Sequence, residues 1–308
     1  MAANSRTHFP RPPGAGWPLL LLLAALALAG CSRSDSSTSA ATSGEKRHPL
    51  QGEVVSVDPE RNVLVVKHEP IPDVMPAMTM EFAVTHGDAT TLRTGQRIRA
   101  QLVQPAEADG EWRLEQIWPD DDASRNAVAA QANSLRQETL ARGKSAYREV
   151  GDKMPDFALY DQNGTVVNSG RFRGKKVMLN FIFTRCPVAT MCPAATAKMT
   201  MTQKLAREAG VENIEFVSIT LDPAYDTPGV LKDYAQTRGI DTTNFSFLTG
   251  PENAIKDLLA NFGVLAEFDG DLLKHTLATV LIDESGRIVH RADGSVWEPK
   301  DFVAKMKR

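Results

Sequence analysis

The sequence has little that would tie it to nucleic acid or thread it repeatedly through a membrane. Its 308 residues carry a net charge of only −3, too small to imply a polyanionic partner. No Lys/Arg-rich stripe tracks a phosphate backbone, so nucleic acid is set aside. Cysteine is scarce, with three in the chain, so each has to be accounted for. No repeat of solenoid period appears. The apolar run at 19–29 is about eleven residues, short of the roughly 20 a membrane-spanning helix needs. What remains is ordinary: 42% hydrophobic and 24% charged residues, a globular composition long enough for two domains.

The short apolar run follows Arg6 and Arg11 and has the length of a signal-peptide core. It closes on Leu28-Ala29-Gly30-Cys31, which resembles the bacterial lipobox. That resemblance implies removal of 1–30 and lipidation of Cys31, placing the chain on a membrane of the bacterial cell envelope, facing the periplasm. Residues 31–48, rich in Ser and Thr, read as a flexible tether. Cys186 and Cys192 are then the remaining thiols. In a compartment that favours disulfides, such a pair is a structural bridge, a redox couple or a soft-metal site.

From 49 to 120 the pattern is strand and turn. Runs at 53–57, 63–68, 78–84, 97–104 and 111–118 are short strand candidates, that at 63–68 rich in β-branched residues. Five of them in about 70 residues predict a small all-β, OB-like five-stranded barrel. Asp120-Asp121-Asp122 reads as a solvated turn. Residues 121–150 form a helical linker with little apolar periodicity, an interdomain spacer with a reach of about 37 Å over roughly 25 residues. From 151 to 308 strands and helices alternate. The almost unbroken apolar run 176–183 is expected as a central parallel strand covered on both faces. Helices are expected at 196–209, 228–239 and 253–262, a second strand at 213–221, and a hairpin over 279–283 and 287–292. This order predicts a thioredoxin-like α/β domain.

Cys186 and Cys192 follow the central strand directly, where sites form in such sheets. Helix N-terminal amides there favour a thiolate, which serves both as nucleophile and as soft ligand for Cu(I). A thioredoxin redox couple is separated by two residues; this pair is separated by five. Six helical steps turn about 600°, leaving the side chains about 120° apart. Both thiols reach one site only if Cys186 stays on the loop and the helix starts near Cys192, with Pro193 in its first turn.

Several segments of 151–308 are similar to the Sco/SenC family of copper proteins. They include Gly151-Asp152-Lys153-Met154-Pro155, Phe183-Thr184-Arg185-Cys186-Pro187, Leu221-Asp222-Pro223-Ala224-Tyr225-Asp226-Thr227-Pro228, Phe262-Gly263-Val264 and Lys274-His275-Thr276. The resemblance implies a copper site at Cys186, Cys192 and His275, holding Cu(I) and admitting Cu(II). It further implies a metallochaperone that delivers copper to the CuA centre of cytochrome c oxidase, in subunit II. Asp222 either tunes that site or caps a turn beside Pro223. The usual cysteine separation in the family is three residues, and the longer loop here leaves room for an alternative. That alternative is a thiol-disulfide oxidoreductase keeping a partner's metal-ligand cysteines reduced, with Cys186 and Cys192 as the redox pair. A thiol peroxidase fits less well, because its motif places Thr three positions before the reactive Cys and Thr184 is two before Cys186.

In the first domain, Met75-Pro76-Ala77-Met78-Thr79-Met80 follows His68 by a short loop. Met78 and Met80 share one face of a strand, and thioether sulfur suits Cu(I). Two alternating methionines also serve as plain barrel core. The stretch resembles the copper/silver carrier CusF, with His68-Glu69-Pro70-Ile71 and Met78-Thr79-Met80 as the matching segments. The ligands this implies are His68, Met78 and Met80. Met75 stands near the position of CusF's metal-covering tryptophan, as a fourth ligand or an apolar lid. Trp112 and Trp118 are expected to pack in the barrel. Tethered copper sites of this kind suggest an intramolecular relay, at an effective concentration of order millimolar if the linker allows contact.

Overall fold

The computed structural model describes residues 45–107, 110–143, 146–269 and 272–307. The expected signal segment, Cys31 and nearly all of the expected tether lie outside them. Among the described residues, no helix is long and apolar enough to cross a membrane.

Alternation builds the first domain. β1 (Lys46–Asp58) starts within the stretch expected as tether, and β2 (Val63–His68) returns antiparallel to it. Asn62, at φ 55°, closes the turn between them; Asn tolerates that left-handed conformation better than most residues. β3 (Met78–Ala83) pairs with β2, β4 (Arg97–Gln104) with β1, and β5 (Arg113–Pro119) with β4, all antiparallel. Leu50, Val54, Leu64, Val66, Phe82, Ile98, Leu102 and Leu114 fill the interior.

The expected all-β, OB-like five-stranded barrel is corrected on two counts. The strands come round in the order β1-β2-β3-β5-β4, but the seam between β3 and β5 is one parallel pair, Ala83 with Arg113, not a ladder. The reason is local: the chain leaves β3 at Ala83 for a short helix, α1 (His86–Thr91), capped by the Thr85 side chain accepting from Asp88 N. Two threonines and a glycine in six residues are poor helix formers, which hid α1 in the sequence.

The linker also departs from expectation. α2 (Asp122–Arg142) is capped by Asp121, which accepts from Ser124 N at 2.8 Å, while buried Asp120 pairs with Arg125 at 2.7 Å. The acidic triplet is therefore a helix start. Val128, Ala132 and Leu135 form a buried stripe, and α2 packs on α5 (Glu252–Phe262), with Arg136 on Asp257 at 2.9 Å. α2 is a docked element rather than a free spacer.

The thioredoxin-like α/β arrangement is present. Its strands are β6 (Ala158–Asp161), β7 (Val166–Asn168), β8 (Lys176–Ile182), β9 (Ile214–Thr220), β10 (Phe245–Thr249), β13 (Ala278–Ile282) and β14 (Ile288–Asp293). They form one sheet in the order β14-β13-β8-β9-β10-β6-β7, with β8, β9 and β10 parallel. Every residue of β9 and β10 is buried, as covering on both faces requires. α3 (Cys192–Glu208), α4 (Pro228–Thr237) and α6 (Pro299–Met306) complete the helices, and β11 (Ala266–Asp269) with β12 (Leu272–His275) forms a separate hairpin.

The two domains pack closely. Trp118 belongs to a cluster with Val128, Ala158 and Tyr160 at the junction, not to the barrel core; Trp112 does pack on that core. α1 lies against the first turns of α4, glycine to glycine: a Cβ on Gly87 would sit 2.8 Å from Asp233 Cγ. Asp88 is buried at this contact, and burial, with Asp233 adding repulsion, pushes its pKa up to about 7 against hydrogen bonds from Thr85. A raised acid contributes stability that is complete below its unfolded value near 3.8 and is lost as pH rises through the folded one. Between pH 5.5 and 8 the chain is expected to lose about 2 kcal/mol from this group. Urea unfolding of wild type and Asp88→Asn at both pH values checks this; an equal pH dependence in the two proteins would refute it.

Candidate metal centres

The cysteine loop begins at the C-terminal end of β8, a central strand of the sheet. α3 starts at Cys192 with proline in its first turn. Cys186 stays on the loop, half-buried, with its amide 3.4 Å from Phe183 O. The angular conflict within one straight helix is thereby avoided. His275, the last residue of β12, comes in from the hairpin. Cys186 Sγ, Cys192 Sγ and an imidazole nitrogen of His275 lie within 4.8 Å of one another.

The protons are placed by the partners. His275 Nδ1 is 3.2 Å from Thr276 O. A carbonyl only accepts, so Nδ1 carries the hydrogen and Nε2 presents a lone pair. That lone pair lies 3.6 Å from Cys192 Sγ. Burial lowers the His275 pKa, against a smaller opposing effect of the Thr276 backbone, and so favours the neutral, ligating form. Burial likewise pushes the Cys192 thiol up to about 12, with Cys186 adding to the rise and the Phe183 amide opposing it. Without a cation Cys192 is a neutral thiol; a soft cation would take the place of its proton. The Phe183 ring stands edge-on to His275, centroids 5.3 Å apart.

Two carboxylates hold the loop. Asp222 accepts from Arg185 Nη2 at 2.6 Å and Nε at 3.2 Å, and the same guanidinium lies 4.1 Å over the Tyr225 ring. Asp222 thus reaches the site through the neighbour of Cys186. Asp226, which the sequence reading did not single out, is more deeply engaged. It accepts from Thr184 N at 3.1 Å, from Thr220 Oγ1 at 2.6 Å, and from Thr184 Oγ1. Burial raises its pKa to about 6, opposed by these bonds.

The barrel residues converge on one face. His68 pairs with Met78, Val66 with Met80 and Leu64 with Phe82. Antiparallel partners share a face, and Leu64, Val66 and Phe82 are interior. His68, Met78 and Met80 therefore point inward too. Exposure falls along β3 from Met78 at 46% to Phe82 at 1%, so the two methionines stand at a mouth. His68 is 2% exposed. Its Nδ1 donates to Glu69 O at 2.7 Å, leaving Nε2 buried with no hydrogen-bond partner. A buried imidazole lone pair on the face that also carries Met78 and Met80 is a donor set suited to a soft cation. Met75 is partly buried against the barrel core.

These two arrangements can be set beside known proteins. Residues 145–308 match the SCO1/SenC family model, over half of the chain. The chain belongs to the SCO1/SenC family. Residues 47–119 match the model of the copper binding periplasmic protein CusF, so a CusF-like segment precedes the SCO1/SenC domain. An SCO2-like protein of Rickettsia felis is 37% identical over 181 residues, 55% of this chain and 85% of its own length. The SCO1 protein homolog of Bacillus subtilis is 29% identical over 154 residues, 48% of this chain and 77% of its own. Among solved structures, an SCO1/SenC family lipoprotein from Bacillus anthracis aligns with 30% identity and a TM-score of 0.48, covering 53% of this chain and 98% of that one.

Proposed function

We propose that this SCO1/SenC protein is a copper(I) metallochaperone with two sites, Cys186/Cys192/His275 and His68/Met78/Met80. The observation that carries the reading is the convergence of two sulfurs and one imidazole, from a loop, a helix start and a separate hairpin, within 4.8 Å. Two thiolates and one neutral imidazole suit three-coordinate Cu(I). The unpartnered Nε2 of His68 supports the barrel site, with Met75 as fourth ligand or lid. In this reading the chain is held to an envelope membrane by lipid on Cys31 and works in the periplasm. The recipient is the CuA centre in cytochrome c oxidase subunit II, the role that likeness to the Sco family suggests.

Copper stoichiometry on the fully reduced chain tests the proposal. Two Cu(I) per chain are expected; Cys186→Ser/Cys192→Ser removes one and Met78→Leu/Met80→Leu the other. Failure of either double variant to lower the count would refute that site. Thiol-disulfide exchange is the second reading, favoured by a half-buried Cys186 lying beside a buried Cys192. It predicts a potential in the range of dithiol reductases and no copper retained at the cysteines.

A further inference from the structure

Among the described residues, two imidazole nitrogens are buried without a hydrogen-bond partner: Nε2 of His68 and Nε2 of His48. The first belongs to the barrel site; the position of the second follows from the stagger of the strands. His48 lies near the start of β1, pairs with the core residue Leu102, and stands two positions before buried Leu50. Its side chain therefore projects into the barrel.

One circuit of the strands fixes its height. Asp58 pairs with Val63, Val63 with Ala83, Ala83 with Arg113, Arg113 with Val103 and Val103 with Arg47. Five strands thus return to β1 eleven residues before the start of the circuit, one of them taken up by the irregularity between Val54 and Ser56. Each step along a hydrogen-bonded row consequently descends the barrel by the height of about two residues, toward the end where β1 begins. Gly52, His68 and Met78 form one such row, and Val54, Val66 and Met80 another. His68 and Met80 therefore stand level with Leu50, and Met78 stands level with His48. At a strand rise of about 3.3 Å and a spacing of about 4.8 Å, this stagger tilts the strands by about 54° and sets successive inward layers about 4 Å apart. Exposure agrees: Leu50 and His68 are each 2% exposed, whereas Met78, one layer further out, is 46% exposed, and His48 is partly buried. Five strands enclose a narrower space than the eight-stranded barrels that side chains only just fill, so the inward side chains of these two layers converge on the axis.

We propose that His48 is a further ligand of the barrel site, which holds Cu(I) between two imidazoles and two thioethers: His48, His68, Met78 and Met80. This rests on the reading of the barrel as a copper site. Either nitrogen of a neutral imidazole can carry its one hydrogen; with it on Nδ1, the enclosed Nε2 of His48 offers a lone pair that no protein group takes up. Leaving a polar atom buried and unpaired is costly, and a bound cation removes that cost. Imidazole nitrogen and thioether sulfur are both suited to copper. With four donors supplied, Met75 is the apolar lid and not a ligand.

The test uses the full chain as Cys186→Ser/Cys192→Ser, which reports the barrel site alone. X-ray absorption on its Cu(I) form gives the donor set, and competition with a chromophoric Cu(I) chelator gives the affinity. Two imidazole nitrogens and two sulfurs are expected, and His48→Leu in this background should remove one nitrogen while keeping both sulfurs. Affinity is expected to fall by about 10–100-fold or more in His48→Leu and in His48→Gln, and to change by less than about threefold in Met75→Leu. Metal-free His48→Leu is expected to unfold at the urea concentration of its parent or above it, because leucine replaces an unpaired buried nitrogen. A histidine with a structural role alone would lose stability and leave the donor set unchanged. One imidazole in the parent chain, a third sulfur in place of the second nitrogen, or unchanged affinity in both His48 variants would overturn the inference, even where Met78→Leu/Met80→Leu abolishes binding. The donor set of the parent decides the matter should a variant fail to fold. If the parent binds no Cu(I) at all, the barrel site itself falls, and this inference with it.

Discussion

Asp226→Ala is expected to destabilise the metal-free chain by about 3 kcal/mol or more and to weaken Cu(I) at the cysteine site. The carboxylate accepts three hydrogen bonds, two from Thr184 and one from Thr220, in a setting where Asp226 and Thr220 are fully buried. Alanine leaves those donors without partners, and each buried orphan costs about 1–3 kcal/mol. The damage falls on function because Thr184 lies two residues before Cys186. Once it is free, the loop no longer holds Cys186 opposite Cys192. Removing support of this kind typically costs about 10–100-fold in metal affinity. Asp226→Asn keeps one acceptor oxygen but turns an amide donor toward Thr184 or Thr220, so an intermediate effect is expected. Urea unfolding gives the first quantity and competition with a chromophoric Cu(I) chelator the second. Wild-type stability in Asp226→Ala would show that the three bonds do not hold the loop.

How far the sequence could be read depended on the range of the interactions involved. β2 follows from its β-branched residues and the turn before it, and β8 from an almost unbroken apolar run. The loop placement of Cys186 and the helix start at Cys192 followed from helical angles, and His275 from likeness to a family. Asp226 carried no such sign, because Thr184 is 42 residues away and the residue sits just before Thr227-Pro228, where an acid looks like part of a helix start. β6 and β7 are four and three residues long, too brief for a period to register. Trp118, expected in the barrel, packs with Val128, Ala158 and Tyr160 instead, because a strand pattern says which face is apolar, not which neighbour covers it. The docking of α2 is not legible in the sequence because its stripe is narrow: Val128, Ala132 and Leu135 are its buried residues.

The junction itself, invisible in the sequence, is where a single methyl group should matter most. Gly229→Ala is expected to cost about 3 kcal/mol and to split one unfolding transition into two. A Cβ there would lie 2.6 Å from Asp88 Cγ and 2.9 Å from Asp88 N. The second atom is backbone, so no side-chain rotation relieves the clash, and overpacking of this kind costs about 1–3 kcal/mol, occasionally more. Either the helices part or α1 unwinds, and both expose Asp88 to water. Gly87→Ala strikes the same contact from the other side, against Gly229 O and the Asp233 carboxylate. The double variant should therefore cost less than the two singles together, since the first methyl has already opened what the second would open. Gly170→Ala is the control: nothing lies within 4 Å of its Cβ position, and it should be close to neutral. Calorimetry on the metal-free proteins measures all four. If Gly229→Ala unfolds at the wild-type temperature in a single transition, α1 and α4 do not bind the domains together.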